Sequence, residues 1–240
     1  MSLSLRVVTL NIHKGLSHFN RRMVIHELRD GLTALDPDVV FLQEVQGLNQ
    51  RFTLRFRTCP VEPQHEFLAP ADWQHAYGRN RVHHHGHYGN AILSRFQIVS
   101  TENEDVSDHR YERRGLLHCV VAVPGWRRNL HCVCVHLSLH ERGRSRQLEA
   151  ISGRLEELAL RDVPIIIAGD FNCTPRSAPY RICRSTTPRL VSSSSAVSAW
   201  TAACCSESAV RSRWTSSWAS FMSIGADPGF VGGTGSPRRS

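Results

Sequence analysis

Three apolar runs in this chain each end in a carboxylate or a carboxamide, and that pattern constrains its fold more than any other feature. Leu5 to Leu10 leads into Asn11, Val39 to Leu42 leads into Gln43-Glu44, and Val163 to Ala168 leads into Gly169-Asp170-Phe171-Asn172. A short apolar run bounded by polar residues reads as a buried strand, so the polar residue at its C-terminal end lands on the rim of a sheet. Three such rims from distant parts of the chain bring Asn11, Glu44, Asp170 and Asn172 within reach of one another. Oxygen donors of this kind, with no cysteine beside them, suit Mg²⁺ or Mn²⁺ rather than Zn²⁺. Such an ion, held by one or two carboxylates, keeps positions for water and a substrate phosphate, which points to metal-assisted phosphoester hydrolysis.

The spacing elsewhere predicts an α/β chain. Met23, Val24, Leu28, Leu32 and Leu35 recur at helical intervals over 21–35, and Asp36-Pro37-Asp38 breaks the pattern before a strand over 39–45. Residues 46–87 show no clear period apart from a short helix around Arg51–Arg57. Asn90–Leu93 reads as a strand, and Gln97–Ser100 is expected to continue the same sheet. Two strands, 116–123 and 129–139, flank the hairpin signal Pro124-Gly125-Trp126. Leu148, Ile151, Leu155 and Leu158 then mark an amphipathic helix over 144–160, leading to the last strand, 165–168.

At 240 residues the chain is long enough for one sizeable α/β domain. No apolar stretch approaches a membrane span and the N-terminus lacks a signal pattern, so a cytoplasmic monomer is expected. The eight cysteines do not pair with histidines at metal spacing. Cys132 and Cys134, two apart in a strand, share a face and read as reduced structural thiols. The net charge of +8 is unevenly spread: residues 1–172 hold 21 basic and 19 acidic groups, residues 173–240 hold 8 and 2. The basic excess thus lies mostly outside the candidate site and argues weakly for a DNA-binding face. Lys14 is the sole lysine against 28 arginines, a skew that fits GC-rich codon usage.

Six stretches in order, LRVVTLNIHKG (5–15), DVVFLQEV (38–45), YGNAILSR (88–95), RRGLL (113–117), VHLS (135–138) and IAGDFN (167–172), resemble the endonuclease/exonuclease/phosphatase superfamily. That group includes exonuclease III, deoxyribonuclease I, neutral sphingomyelinases and inositol polyphosphate 5-phosphatases. The resemblance implies a four-layer α/β sandwich, two mixed β-sheets flanked by helices, incomplete at its C-terminus. It implies Glu44 as a metal ligand, Asn11 at Glu44 or the metal's water shell, and Asp170 on the metal and the attacking water. It also implies that Asn172 donates to phosphoryl oxygens and that His136 serves as general acid or phosphate donor. Asn90 would orient the phosphate, Tyr88 would add its hydroxyl, and Arg114 would offer a planar fork. The cofactor implied is Mg²⁺ or Mn²⁺, and the partner a phosphodiester or phosphomonoester. Nucleic acid is possible through Arg51–Arg57 or Arg79–Arg81, while the near-neutral balance of residues 1–172 tilts towards small or lipid phosphodiesters.

Each of these residues also has a plain structural reading: a strand-ending turn for Asn11, a core imidazole for His136, a solvated arginine for Arg114. The run His83-His84-His85-Gly86-His87 lacks the spacing of a metal site and reads as a loop, with His87 reaching towards the substrate. Ser107-Asp108-His109 copies the superfamily's final Ser-Asp-His in letters, but it precedes the Arg-Arg-Gly motif instead of following Gly-Asp-Phe-Asn, and reads as a loop accident.

After Asn172 the composition changes abruptly. All 14 histidines lie at or before His140, and residues 173–240 hold 16 serines and three of the five tryptophans. A disordered tail is one reading. A segment translated in a shifted frame is the preferred one, because so sharp a change coincides with a motif boundary. The superfamily's last Asp-His pair has no counterpart there, so the expected activity is impaired. The alternative is an inactive remnant that keeps a phosphate-binding rim.

Overall fold

The strand beginning Val39-Val40-Phe41-Leu42 shows how the layers arise, because its alternate residues enter two different cores. The computed structural model describes the backbone of residues 3–172, 210–211 and 218–226, with side chains over 5–158 and 160–172. Val39 and Phe41 join Leu5, Val7, Leu117, Cys119, Cys132 and Ile166 in a cluster between two sheets. Val40 and Leu42 join Ile25, Leu28 and Leu32 beneath a helix. A strand apolar on both faces can be satisfied only by a layer on each side, and that sets the architecture.

The first sheet holds β1 (Leu3–Asn11), β2 (Val39–Asn49), β3 (Gln74–His83) and β4 (Gly86–Ser94), with β9 (Val210–Arg211) and β10 (Trp218–Ala226), in the order β3-β4-β2-β1-β10-β9. The second holds β5 (Gln97–Asp105), β6 (Gly115–Ala122), β7 (Leu130–His136) and β8 (Ile165–Asp170), in that order. Helix α1 (Ile25–Leu35) and the short α3 (Gln64–Leu68) cover the first sheet. On the second sheet, α4 (Glu141–Leu160) lays Leu148, Ile151, Leu155 and Leu158 against Leu116, Val133, Val135, Ile165 and Ile167. This is the expected four-layer sandwich with two mixed sheets.

Local differences from the sequence pattern have physical reasons. α1 begins four residues later than the periodicity suggests, because Met23 pairs with Leu16 in a β-bridge and Val24 is not helical. Asp36 then closes the helix in the left-handed conformation, φ 45°, its N–H bonding the Thr33 carbonyl. Gln97–Ser100 does not continue the sheet of β4; only Arg95 and Phe96 separate the two strands, and β5 becomes the edge of the second sheet. The unassigned stretch 46–87 contains α2 (Gln50–Arg55), α3 and β3. α3 is too short to show a period, and β3 is an edge strand in which only Ala76 and Gly78 are buried. Cys132 and Cys134 are both buried, as their alternation predicts, and Cys119 is buried in the same cluster. Beyond Asn172, where the sequence offered no element, β10 pairs antiparallel along β1 from Leu3–Ala226 to Leu10–Ala219. The rest of 173–240 lies outside the described residues.

Candidate active site

Two parallel strand pairs present their C-terminal ends at one edge of the sandwich. β1 runs beside β2 with Asn11 opposite Gln43, and β7 runs beside β8 with His136 opposite Asp170. Gln43, fully buried, ties the sheets together: its Nε2 donates to Thr9 Oγ1 at 3.2 Å and to Cys134 Sγ at 3.4 Å. The residue after Gln43 is Glu44. It sits in an irregularity of the β2–β4 pairing with φ 56°, a left-handed conformation rare for a residue with a side chain. Such bulges re-aim side chains, and strain of this kind collects at functional sites.

The carboxylates of Glu44 and Asp170 converge on one amide. Asn11 Nδ2 lies 3.3 Å from Glu44 Oε1 and 3.0 Å from Asp170 Oδ2. The amide's orientation is fixed because Asn11 Oδ1 accepts the His13 N–H at 3.0 Å. Lys14 Nζ stands 3.2 Å from Glu44 Oε2, and His13 Nδ1 stands 3.7 Å from the same oxygen. Burial works to raise the Glu44 pKa, but Lys14, His136 and the Asn11 amide outweigh it and hold the carboxylate below its ordinary value.

Asp170 follows Gly169, whose φ of 150° and close approach exclude any side chain, since a Cβ there would lie 1.9 Å from the Val135 carbonyl oxygen. His136 Nε2 is 3.8 Å from Asp170 Oδ2, and His136 Nδ1 is 3.5 Å from Arg114 Nη1. A guanidinium only donates, so Nδ1 accepts and the proton of the neutral ring is on Nε2, facing Asp170. Burial, reinforced by Arg114, lowers the His136 pKa to about 4 against the opposing pull of Asp170 and Glu44. Arg114 is itself gripped through Nη2 by Glu112 Oε1 at 2.8 Å. Glu112 also accepts from the Ser138 hydroxyl and from the Leu139 N–H. Tyr88 offers its ring to Lys14, 5.1 Å from the ammonium.

Other predicted residues are near the rim but face elsewhere. Asn90, 1% exposed, donates to the Gly115 and Cys134 carbonyls at 3.0 and 3.4 Å and is an inter-sheet strut rather than a group facing substrate. Asn172 does not extend the strand alternation with Asp170. Its φ is 46°, its N–H bonds Asp170 Oδ1 at 3.0 Å, and its amide donates to the Leu137 carbonyl at 2.8 Å. His87 does not reach the rim; its Nδ1 meets the Tyr77 hydroxyl at 3.0 Å, and Tyr77 stacks on His65. Asp108 pairs with Arg146, and His109 lies 3.9 Å from Glu112, so that pair belongs to the loop supporting Arg114. Sequence reasoning missed Lys14 and Glu112, although both stand in or beside quoted motifs.

The donor set suits a hard divalent ion, which takes one or two carboxylates and completes its shell with water. Glu44 and Asp170 supply the carboxylates; no cluster of three or more His, Cys, Asp or Glu at metal spacing occurs among the described residues.

The fold is an α/β sandwich in which carboxylates and amides from distant strands gather at one rim. The profile described as "Endonuclease/Exonuclease/phosphatase family" matches residues 8–234, and the chain belongs to that family, whose members are hydrolases. The chain is 44% identical over 170 residues to "Uncharacterized protein YbhP" of Escherichia coli (strain K12), covering 70% of this chain and 67% of that one. The fold is similar to the human Nocturnin catalytic domain solved with bound sulfate (TM-score 0.57, 20% identity, 77% of this chain and 72% of that one). It is also similar to ANGEL2, a 2',3'-cyclic phosphatase solved with adenosine-2',3'-vanadate (TM-score 0.58, 19% identity, 77% and 58%).

Proposed function

We propose that this protein is a divalent-metal-dependent hydrolase of phosphoester bonds, of phosphodiesterase, nuclease or phosphatase type, working at a reduced rate. The observation that carries the reading is the one amide of Asn11 shared by the carboxylates of Glu44 and Asp170. Glu44 and Asp170 would hold Mg²⁺ or Mn²⁺, with Asn11 bracing both carboxylates through its amide; the ion when bound supplies Lewis-acid polarisation and a more acidic water. Asp170 is placed to orient the attacking water and take its proton. His136, neutral and protonated on Nε2, donates towards the same point. Arg114 brings a fixed positive charge for the phosphate, and Tyr88 a hydroxyl at the mouth. Asn90 and Asn172 act from behind, holding the two sheets and the rim loop in place. The oxyanions bound to the two solved neighbours, sulfate and a vanadate, support a phosphate-shaped ligand.

The reduced rate follows from composition: no histidine occurs after His140, so the superfamily's final Asp-His has no counterpart. Loss of one acid–base partner costs about 10²–10⁴ in rate. The same observation favours a second reading, an inactive remnant with an intact phosphate-binding rim. Residues 1–172 as the catalytic unit and 173–240 as a frame-altered segment belong to this proposal, and the gene read in three frames around codon 173 tests them. So does a cytoplasmic monomer; among the described residues no helix is long and apolar enough to cross a membrane.

The test is hydrolysis of bis-p-nitrophenyl phosphate, p-nitrophenyl phosphate and abasic-site DNA with Mn²⁺, beside YbhP under the same conditions. Turnover is expected to vanish with EDTA and to run about 10²–10⁴ below that of YbhP if the latter is active. Hydrolysis indifferent to EDTA sinks the metal reading, and a rate equal to that of YbhP sinks the impairment. No turnover, with phosphate still raising the melting temperature, favours the remnant.

A further inference from the structure

Lys14, the chain's sole lysine, has its backbone clamped and its ammonium between a carboxylate and an aromatic ring. It lies in the 3-10 turn that follows β1 (His13–Gly15), with φ 58°. Its carbonyl accepts from Gln64 Nε2 at 2.7 Å, and buried Gln64 is itself anchored by the Gln46 N–H at 2.8 Å. From this fixed base the ammonium reaches Glu44 Oε2 at 3.2 Å, while the other carboxylate oxygen is held by Asn11. The face of Tyr88, 5.1 Å from the same ammonium, provides a second resting place through the attraction of a cation to an aromatic ring.

An ammonium in contact with Oε2 and a divalent ion bound to that oxygen repel too strongly to coexist at these distances. We propose that Lys14 is a displaceable counter-cation, neutralising Glu44 in the metal-free protein and releasing Oε2 towards Tyr88 when a divalent ion binds. This rests on the reading of Glu44 as a metal ligand. It makes binding an exchange of one cation for another, so the site's affinity is set below what its oxygens alone would give. Lys14 is a positioning residue of the metal site, not one that acts on the phosphate.

Two measurements on the full chain test this, with Mn²⁺ alone as the probe. Titration calorimetry of the wild type, Lys14→Gln and Arg81→Gln reads affinity; Arg81, which donates to the Tyr111 carbonyl, controls for general charge. Labelling with an amine-reactive ester, quantified on the peptide carrying Lys14, reads release of the ammonium. Lys14→Gln is expected to bind Mn²⁺ at least about fivefold more tightly, Arg81→Gln to match the wild type, and Lys14 labelling to rise on Mn²⁺ addition. Unchanged or weaker affinity in Lys14→Gln overturns the proposal while leaving the metal reading intact. Tighter binding without a rise in labelling also overturns it, because repulsion alone would then suffice. If neither protein binds Mn²⁺, both readings fall together; binding by Lys14→Gln alone supports the exchange.

Discussion

The approach to β2 and the break in its middle carry the same kinds of side chain and use them differently. At the N-terminal end Asp36 meets Arg6 and Arg95, while Asp38 lies 3.4 Å from Arg95 and accepts the Arg6 N–H at 2.7 Å. Asp36 is more than half exposed, and hydrogen bonds from Arg6 and Arg95 hold its carboxyl below the ordinary value. At the break in the middle of β2, Glu44 and the neighbouring Asp170 of β8 are mostly covered and share a neutral amide. A carboxylate saturated by arginines is a structural clamp. Two carboxylates that must share one amide keep binding capacity for something of higher charge. A cavity of about 150 Å³ opens beside the Asp36 end, lined by Leu32, Val40, Leu68, Trp73 and Leu93. Its walls are largely apolar, and Arg95 among them is already paired with Asp36 and Asp38, so concavity alone does not locate the chemistry.

The comparison can be broken most sharply between these two places. Phe41→Ala empties a fully buried position that both rims depend on. It should cost about 3–5 kcal/mol by denaturant titration. A cost under about 1 kcal/mol would show that the rims are not joined through this core. Glu44→Gln should weaken Mn²⁺ binding at least about tenfold by calorimetry with the melting temperature little changed, whereas Asp36→Asn should leave binding alone. Equal losses at both places would erase the distinction.

Acid should also act unevenly. His65, His118 and His136 are each held at about 4, burial being the largest cause in every case. A histidine whose folded pKa lies below its unfolded value of about 6.5 binds more protons when unfolded, so stability falls as pH drops from about 6.5 towards 4. The slope should reach about 1.4 kcal/mol per pH unit for each such group. Stability flat across that window would mean the rings are not buried neutral. The smallest effect belongs to Asp36→Asn itself: an exposed ion pair contributes little, and a clear fall in melting temperature would show the clamp doing more than its exposure allows.

Residues whose placement follows from local chemistry were legible in advance. Apolar runs flanked by polar residues end β1 at Asn11 and β8 at Asp170, whereas β2 runs past the expected end at Val45 to Asn49 and carries Glu44 in a break of its pairing. The 148–158 stripe fixes α4 against the second sheet for the same reason. The short α3 and edge strand β3 were not legible, because too few of their side chains are buried to leave a period. Direction was less visible still. Asn90 and Asn172 stand where the motif puts them, yet their amides are spent on the carbonyls of Gly115, Cys134 and Leu137.

By itself, then, the amino-acid order determined which strands are buried on both faces and which polar groups close them, since burial and alternation are properties of neighbours along the chain. Only the packing of one sheet on the other decided that Asp170 would meet Asn11 across 159 positions of sequence. Pairing of β1 with β2 in the first sheet likewise set Lys14 against Glu44. Hydrogen bonds and charge pairs of that reach depend on distances in space, which no local pattern encodes.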